Sequence, residues 1–148
     1  MTWGLDELLT ELGDRHALEA QRTHVLNWRE IGLGIMGLAD LALSMGLEYG
    51  SNEFIKVLDT IMKEMANSAA QASALRAKEL GVFPKYDWEA AKNSKFFQEV
   101  YTDETKNLIE KFGLRNSRLL SIAPTGSISN ILGVSGGVSD FALTYFYQ

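Results

Sequence analysis

The sequence predicts a mainly α-helical protein with a few short strands. Apolar residues recur at helical spacing through most of residues 1–113, and glycines follow the points where these runs end. After residue 117 the pattern changes to a short apolar run of strand length and then a polar turn. We therefore expect helices over 1–113 and a strand, a loop and a helix over 117–133. The 148 residues suffice for one domain with its own core.

Helical periodicity begins close to the N-terminus. Leucines from Leu5 to Leu12 fall at helical spacing, and Gly13 is placed to end this helix. A looser periodicity follows over 14–30. The glycine-spaced apolar segment 31–47 is expected to be helical from about Ile35.

The longest predicted helix covers residues 51–80. Ser51 is a candidate N-cap, because its hydroxyl can accept a backbone N–H of the first turn, and Gly81 is placed to end the helix. The apolar stripe that we expect to be buried consists of Phe54, Leu58, Ile61, Met65 and Ala69. If Leu58 is fully buried, its replacement by alanine should cost roughly 2–5 kcal/mol.

Short helices packed by aromatic side chains are expected over residues 82–101. The aromatic residues in this stretch are Phe83, Tyr86, Trp88, Phe96, Phe97 and Tyr101. Thr102 is then a candidate N-cap for a helix that runs to Lys111, with Asp103 favourable in its first turn. Gly113 is placed to end that helix.

A strand, a sharp turn and a short helix are predicted around residue 125. Leu119–Ala123 is an apolar run, Pro124 cannot continue a central strand, and Gly126 relaxes the backbone before a helix that Gly133 closes. The turn gathers several hydroxyls and the N–H groups of a helix start, which carry partial positive charge and attract an anion. The same pattern suits a helix whose Ser and Thr residues only cap their own backbone. Spacing leaves both interpretations open.

Composition narrows the possible function classes. A net charge of −5 is unfavourable for sequence-independent nucleic-acid binding, and no apolar run approaches the length of a membrane span. The N-terminus lacks the basic and apolar regions of a signal peptide, so we expect a cytoplasmic protein that binds neither nucleic acid nor membrane. The absence of cysteine excludes disulfides, thiolate metal sites and cysteine nucleophiles.

Three weaker candidate sites have ordinary structural explanations. Residues 32–37 match G-x-G-x-x-G, but no buried strand precedes them, so these glycines are expected to permit close helix packing. His16 and His24 lack the supporting residues of a metal site. The acidic residues at the N-terminal helix are expected to form a solvated face: Asp6, Glu7, Glu11 and Asp14.

Three motifs occur in a fixed order along the chain. The first is R-E-I-G-L-G-I-M-G-L-A-D-L at 29–41, and a weaker second one is E-L-G-V-F-P at 79–84. The third is A-P-T-G-S-I-S at 123–129, followed by G-V-S-G-G-V at 133–138. In this order they resemble the large, catalytic subunit of ribonucleotide reductase, and the resemblance covers most of the chain.

The resemblance implies a function for the turn. In that family the corresponding turn holds the phosphates of the substrate nucleotide, so the implied phosphate-binding residues are Pro124, Thr125, Gly126, Ser127, Ile128 and Ser129. The resemblance also implies that residues 1–148 are a partial domain, the C-terminal portion of a ten-stranded α/β barrel. The implied role is substrate binding during the conversion of ribonucleotides to deoxyribonucleotides.

The family's chemistry implies partners outside this sequence. Ribonucleotide reductases use a cysteine thiyl radical and a reducing cysteine pair, and this sequence contains no cysteine. We therefore expect no catalytic residue, metal or cofactor in the chain and no activity of the chain alone. The implied partners are the remainder of the large subunit, a nucleoside di- or triphosphate, and a radical source that is either a di-metal small subunit or adenosylcobalamin.

One alternative is a catalytically inactive, truncated relative that acts as a helical interaction module. The missing cysteines favour this alternative, as does Ser139-Asp140, where the family usually reads Glu-Pro. The end of the sequence, 140–148, is apolar and predicted to be strand-like. The retained turn at 124–129 favours the reductase interpretation.

Overall fold

The computed structural model describes residues 1–138 and separates the chain into two compact units. Unit 1 consists of Met1–Leu33 and Lys63–Leu120, and unit 2 of Gly34–Met62 with the residues from Ser121 onward. Each unit contains a cluster of buried apolar residues. The loop predicted to bind phosphate belongs to unit 2.

Helices make up most of the described chain. In order they are α1 (Thr2–Leu12), a 3₁₀ turn (Gly13–Arg15), α2 (Glu19–Trp28), α3 (Leu38–Ser44), α4 (Asn52–Leu80), α5 (Trp88–Lys92), α6 (Lys95–Val100), α7 (Asp103–Phe112) and α8 (Gly126–Leu132). Two predicted N-caps are confirmed. The Ser51 hydroxyl accepts the Phe54 N–H at 3.2 Å, and the Thr102 hydroxyl accepts the Thr105 N–H at 3.3 Å.

The prediction of a few short strands is wrong for residues 1–138. The β pairing found there is an isolated parallel bridge between Leu33 and Leu120, beside a hydrogen bond from the Leu33 N–H to Leu119 O at 2.8 Å. A strand requires successive paired residues, and here one short contact between two segments does not extend into a ladder. No sheet or barrel is therefore formed within this part of the chain. Residues 139–148, with the Ser139-Asp140 departure and the predicted strand-like end, lie outside the described residues.

Helix α3 is shorter than predicted. The sequence indicated helix from about Ile35 to the end of the apolar segment 31–47, whereas the structure has helix only over Leu38–Ser44. Gly37 precedes it with φ of +79° and ψ of +19°. A residue in the left-handed region cannot continue a right-handed helix, so Gly37 fixes where α3 begins.

The prediction of one long helix is confirmed by α4, which is continuous over Asn52–Leu80. Its predicted stripe is only partly correct. Phe54 and Ala69 are buried, and the half-buried members are Leu58, Ile61 and Met65. The buried alanines of α4 are Ala66, Ala69, Ala70, Ala74 and Ala77. Leu58 is therefore not fully buried, and the condition for a large cost on its truncation is not met.

The core of unit 1 forms where α4 meets α7. Ala69, Ala70 and Ala74 pack with Ile109 of α7 and with Leu119. Small side chains on α4 let these neighbours approach closely.

The prediction of a solvated acidic face is wrong for Asp6. Its side chain is fully buried in unit 1, where Arg29 donates to Oδ1 through Nη2 at 2.7 Å and through Nε at 3.1 Å. Asn116 Nδ2 donates to the same oxygen at 2.9 Å. Arg29 and Asn116 are buried as well. The three residues form a polar cluster that joins α1, the end of α2 and the segment after α7.

This cluster sets the pKa of Asp6. Burial raises the pKa, but hydrogen bonds from Arg29 and Asn116 and the charges of Arg29 and Arg115 together lower it more, to below the ordinary value of 3.8. A carboxyl group whose pKa is lower in the folded state stabilises the fold above its unfolded-state pKa. That stabilisation is lost as the pH falls through the lower, folded-state pKa.

We therefore expect acid to destabilise the wild-type chain more than its Asp6→Asn variant. Below pH 3.8, the free energy of unfolding should fall more steeply for wild type, because only wild type must protonate Asp6. Urea unfolding of both proteins between about pH 2 and 6 measures this difference. Two parallel pH profiles would contradict a net stabilising charge at Asp6.

The core of unit 2 is smaller. Leu38 and Ala42 of α3 pack against Phe54 at the start of α4, and Tyr49 stacks on Phe54 with ring centroids 4.7 Å apart. This packing fixes α3, whose first turn contacts the segment that follows α8.

Candidate functional site

The loop at 124–129 leads directly into α8. Thr125 is the N-cap residue, and its backbone is left-handed with φ of +51° and ψ of +30°. Gly126 is already the first residue of α8, its φ is not positive, and no neighbouring atom lies within 4 Å of the place where a Cβ would stand. The unusual backbone conformation thus falls on a threonine, which costs about 1–2 kcal/mol unless nearby contacts offset it.

Three consecutive backbone N–H groups of this loop find no acceptor within residues 1–138. They belong to Gly126, Ser127 and Ile128, and all three residues are exposed. The first turn of a helix leaves such groups unpaired because no preceding turn supplies carbonyls. The Ser129 N–H differs, since it donates to Thr125 O at 2.9 Å. A group with several acceptor oxygens can therefore meet three donors at this point.

The hydroxyls of the loop have different roles. Thr125 Oγ1 accepts the Gly137 N–H at 2.9 Å and makes no cap bond to α8. Ser129 is buried, and its hydroxyl donates to Gly126 O at 3.1 Å. Ser127 is exposed, and its hydroxyl forms no hydrogen bond with the described part of the chain. Of these three hydroxyls, that of Ser127 is available to a ligand.

The two adjacent glycines of the third motif pack tightly against the loop. A Cβ on Gly136 would lie 2.9 Å from Pro124 O, and a Cβ on Gly137 would lie 2.8 Å from Ala123 O. Gly137 also has a positive φ of +48°. Any larger residue at either position would displace the backbone of the loop, so these glycines help to fix Pro124 and Thr125 in place.

Gly34 makes a third close approach within unit 2. A Cβ there would lie 2.2 Å from Ser121 O, which is a backbone atom that cannot rotate away. The sequence predicted that the glycines of 32–37 permit helix packing. For Gly34 this is wrong, because its neighbour is the non-helical segment that leads into the loop.

Asp40 and Ser135 join the first turn of α3 to the segment after α8. The Ser135 N–H donates to Asp40 Oδ2 at 2.7 Å, while Ser135 Oγ accepts the Ala39 N–H at 3.2 Å and Ser135 O accepts the Gly37 N–H at 2.8 Å. Ser135 is 4% exposed. The hydrogen bond from its backbone N–H is the largest cause of the lowered pKa of Asp40.

Unit 1 contains a cavity of about 730 Å³ whose lining includes six aromatic residues. Its aromatic residues are Trp28, Phe83, Tyr86, Phe96, Phe97 and Tyr101. Burial raises the pKa of Tyr101 to about 12, so this phenol stays neutral at ordinary pH. Arg118, a cationic lining residue, is paired with Glu30 at 3.2 Å. This chemistry suits an apolar or aromatic group, whereas the 124–129 loop offers donors to an anion.

Within residues 1–138, no group of three or more His, Asp or Glu side chains could hold a metal ion. His24 contacts Glu30 at 3.3 Å, and His16 makes no corresponding contact in that part of the chain. The donor set for a di-metal centre is therefore not found in these residues. Over the same residues, no helix has both the length and the apolar character needed to cross a bilayer.

The sequence matches the family described as "Ribonucleotide reductase, barrel domain" over residues 1–146. This chain belongs to the ribonucleotide reductase family. The match confirms the resemblance carried by the three motifs and extends it along almost the whole sequence.

This chain matches only a small part of the length of individual reductases. The "Ribonucleoside-diphosphate reductase subunit alpha" of Chlamydia pneumoniae is 32% identical over 143 residues, which is 82% of this chain and 13% of that protein. The "Vitamin B12-dependent ribonucleoside-diphosphate reductase" of Mycobacterium tuberculosis (strain CDC 1551 / Oshkosh) is 33% identical over 119 residues, 79% of this chain and 15% of that protein. The chain thus spans about a seventh of the length of these curated relatives.

A solved reductase has the same fold. The "Actinobacillus ureae class Id ribonucleotide reductase alpha subunit" superposes with a TM-score of 0.73 at 24% sequence identity, over 99% of this chain and 25% of that one. This likeness concerns the fold alone. It places the helices and loops described above within a reductase alpha-subunit architecture.

Sequence reasoning found the loop of this reductase-family chain but missed what holds it. Asp40 and Ser135 lie inside the motifs at 29–41 and 133–138, but the sequence assigned neither of them a role, and it assigned Gly34 to helix packing. Ser135 is 95 residues from Asp40, and no periodicity connects positions so far apart. The motif G-V-S-G-G-V was the available signal, since two adjacent glycines permit close backbone packing.

Proposed function

We propose that this chain supplies the substrate-phosphate-binding part of a ribonucleotide reductase large subunit. The N–H groups of Gly126, Ser127 and Ile128 and the Ser127 hydroxyl are the donors to the phosphate oxygens. Pro124, Thr125 and Ser129 shape the loop. The observation that carries this proposal is a row of three N–H groups that have no acceptor among residues 1–138, in an exposed loop within the motif that resembles the family's phosphate turn.

Neutral donors suffice for this task. Phosphate oxygens accept several hydrogen bonds at once, and bonds to a charged acceptor are shorter and stronger than those between neutral groups. Backbone N–H groups are also fixed in direction by the loop, so little conformational entropy is lost when they bind. Gly136 and Gly137 maintain this geometry because their backbones contact Ala123 and Pro124 closely.

The substrate class that we propose is a ribonucleoside diphosphate. The names of the Chlamydia pneumoniae and Mycobacterium tuberculosis relatives both specify ribonucleoside-diphosphate reductase. The proposed partners are the remaining parts of the large subunit and a radical source, either a di-metal small subunit or adenosylcobalamin. No residue set within 1–138 fits such a metal centre, so no radical step is assigned to this chain.

The chain alone is expected to show no ribonucleotide reduction. The family's reaction, as implied by the resemblance, needs cysteine thiols, and the sequence has none. The measurement is deoxyribonucleotide formation by the purified chain with a dithiol reductant and either radical source. Turnover above the background of heat-denatured protein would refute the assignment of the chemistry to other parts of the enzyme.

Ser127→Ala is expected to weaken binding of a nucleoside diphosphate without changing stability. Its exposed hydroxyl has no partner in the described residues, so folding loses nothing, whereas a bond to an anion contributes about 1.5–3 kcal/mol. Calorimetric titration of ADP into wild type and variant measures the loss, which corresponds to roughly 10- to 150-fold. Ser44→Ala removes another exposed serine hydroxyl of unit 2 and is the matched control. Equal ADP affinity in all three proteins would remove Ser127 from the site.

A helical interaction module is the second candidate function. Three apolar side chains of α8 are strongly exposed: Ile128 at 56%, Ile131 at 83% and Leu132 at 61%. Such a cluster favours contact with another polypeptide segment. Retention of the three N–H donors at the start of α8 favours the phosphate role. Absence of ADP binding together with intact folding would support the interaction module.

A further inference from the structure

We infer that Asp40 is a positioning residue for the phosphate-binding loop and acts through Ser135. This inference rests on the proposed phosphate role of residues 124–129. It adds a residue of α3 to a site that the sequence places entirely after residue 123. Every contact in the argument lies within unit 2.

The first step is the attachment of Ser135 to α3. Its N–H donates to Asp40 Oδ2 at 2.7 Å, a short distance typical of a bond to a charged oxygen. Its Oγ accepts the Ala39 N–H and its carbonyl accepts the Gly37 N–H, so all three polar groups of Ser135 are used. Because Ser135 is buried, water does not readily replace these bonds.

The second step leads from Ser135 to the loop through the next two residues. The Gly137 N–H donates to Thr125 Oγ1 at 2.9 Å. A Cβ added to Gly136 would lie 2.9 Å from Pro124 O and 3.3 Å from Ser129 Oγ, so the Gly136 backbone passes close to both residues. A shift of Ser135 by a fraction of an ångström therefore moves atoms that contact three residues of the loop.

The third step concerns Thr125. Its left-handed backbone, with φ of +51°, is unfavourable for a threonine and persists only where the surroundings hold it. Two hydrogen bonds hold Thr125: its Oγ1 accepts the Gly137 backbone N–H, and its carbonyl accepts the Ser129 N–H. Thr125 immediately precedes the three N–H donors, so its backbone angles set their direction. Loosening Ser135 is thus expected to disorder the donors.

A purely structural role would limit Asp40 to stabilising the first turn of α3. An acidic residue there is favourable for any helix. The two roles differ in their consequences, because α3 stability alone leaves the amides of Thr125–Ser129 unchanged at equal global stability. The test therefore needs a measurement of amide exchange in the loop as well as the free energy of unfolding of the whole chain.

The experiment compares Asp40→Ala and Asp40→Asn with two controls in unit 2. Glu48→Gln removes one exposed carboxylate charge without touching Ser135, and Ala42→Gly destabilises α3 without removing the Asp40 bond. For each protein we would measure the free energy of unfolding, amide hydrogen exchange at Ser129 and Gly137, and the affinity for ADP. Asp40→Asn keeps an acceptor oxygen and tests the contact even if Asp40→Ala does not fold.

We expect faster exchange of the Ser129 and Gly137 amides, whose N–H groups are hydrogen-bonded to Thr125, and about tenfold weaker ADP binding for Asp40→Ala, with Asp40→Asn intermediate. Both controls should retain wild-type values at the loop. Loop exchange and ADP affinity in Asp40→Ala equal to those of Ala42→Gly would overturn the inference. If wild type fails to bind ADP but Asp40→Ala still loosens the loop, positioning stands and the phosphate role falls.

Discussion

Replacing Asp6 by alanine is expected to lower the free energy of unfolding by about 3–5 kcal/mol. The variant leaves the buried Arg29 guanidinium without its carboxylate and Asn116 Nδ2 without its closer acceptor. Arg76 and Arg115 also lose the nearby negative charge, since Nε of each lies 3.6 Å from Asp6 Oδ2. Urea unfolding followed by far-ultraviolet circular dichroism at neutral pH measures the change.

Glu7→Ala is the matched control for Asp6→Ala. Glu7 is the next residue in α1, and its side chain is 56% exposed while it pairs with Arg76. An exposed ion pair contributes about 0–1 kcal/mol, so this variant should remain close to wild type. Similar losses for the two variants would show that burial of Asp6 does not determine its contribution.

Gly34→Ala is expected to destabilise the chain by about 3 kcal/mol, the upper part of the range for overpacking. The added Cβ meets Ser121 O at 2.2 Å, and a backbone carbonyl can yield only by moving its segment. Because Ser121 leads into the 124–129 loop, ADP binding should weaken as well. Urea unfolding and ADP titration of the same preparation separate the two effects.

Gly4→Ala is also a glycine-to-alanine substitution, but we expect it to raise the free energy of unfolding. Gly4 lies in α1, and no atom lies within 4 Å of its Cβ position. Alanine is the better helix former by about 0.8–1 kcal/mol, so this variant should be slightly more stable than wild type. A Gly34→Ala variant as stable as Gly4→Ala would contradict the close backbone packing at Ser121.

Local features of the fold could be predicted from the sequence. The long helix α4 and the caps at Ser51 and Thr102 depend on residues only a few positions apart. Periodicity and capping chemistry act over this range, so a single sequence carries the signal. The same reasoning gave the sharp boundary at Gly113, whose φ is +71°.

Features that depend on distant residues could not be predicted. Asp6 looks like part of a solvated helix face until Arg29 and Asn116, 23 and 110 residues away, surround it. The strand predicted at Leu119–Ala123 failed for a related reason, because a strand is defined by its neighbours. Within residues 1–138 its pairing is limited to the bridge between Leu33 and Leu120.

In the candidate site, too, local features could be predicted from the sequence and contacts between distant residues could not. The family resemblance located the loop at 124–129, whereas spacing alone could not choose between capping and anion binding. The sequence assigned backbone flexibility to Gly126, but Thr125 adopts the left-handed conformation. Contacts from Gly136 and Gly137 hold that conformation, and such contacts have no counterpart in the local pattern.

The central claim is that the loop binds substrate phosphate through its backbone. The most direct measurement is an amide NMR titration of the chain with ADP, compared with a Gly126→Pro variant that lacks one donor and disfavours the Thr125 backbone conformation. We predict shifts at millimolar ADP that are concentrated in residues 125–129 of wild type and much reduced in the variant. No localised shifts at 124–130, or equal responses of the two proteins, would contradict the claim.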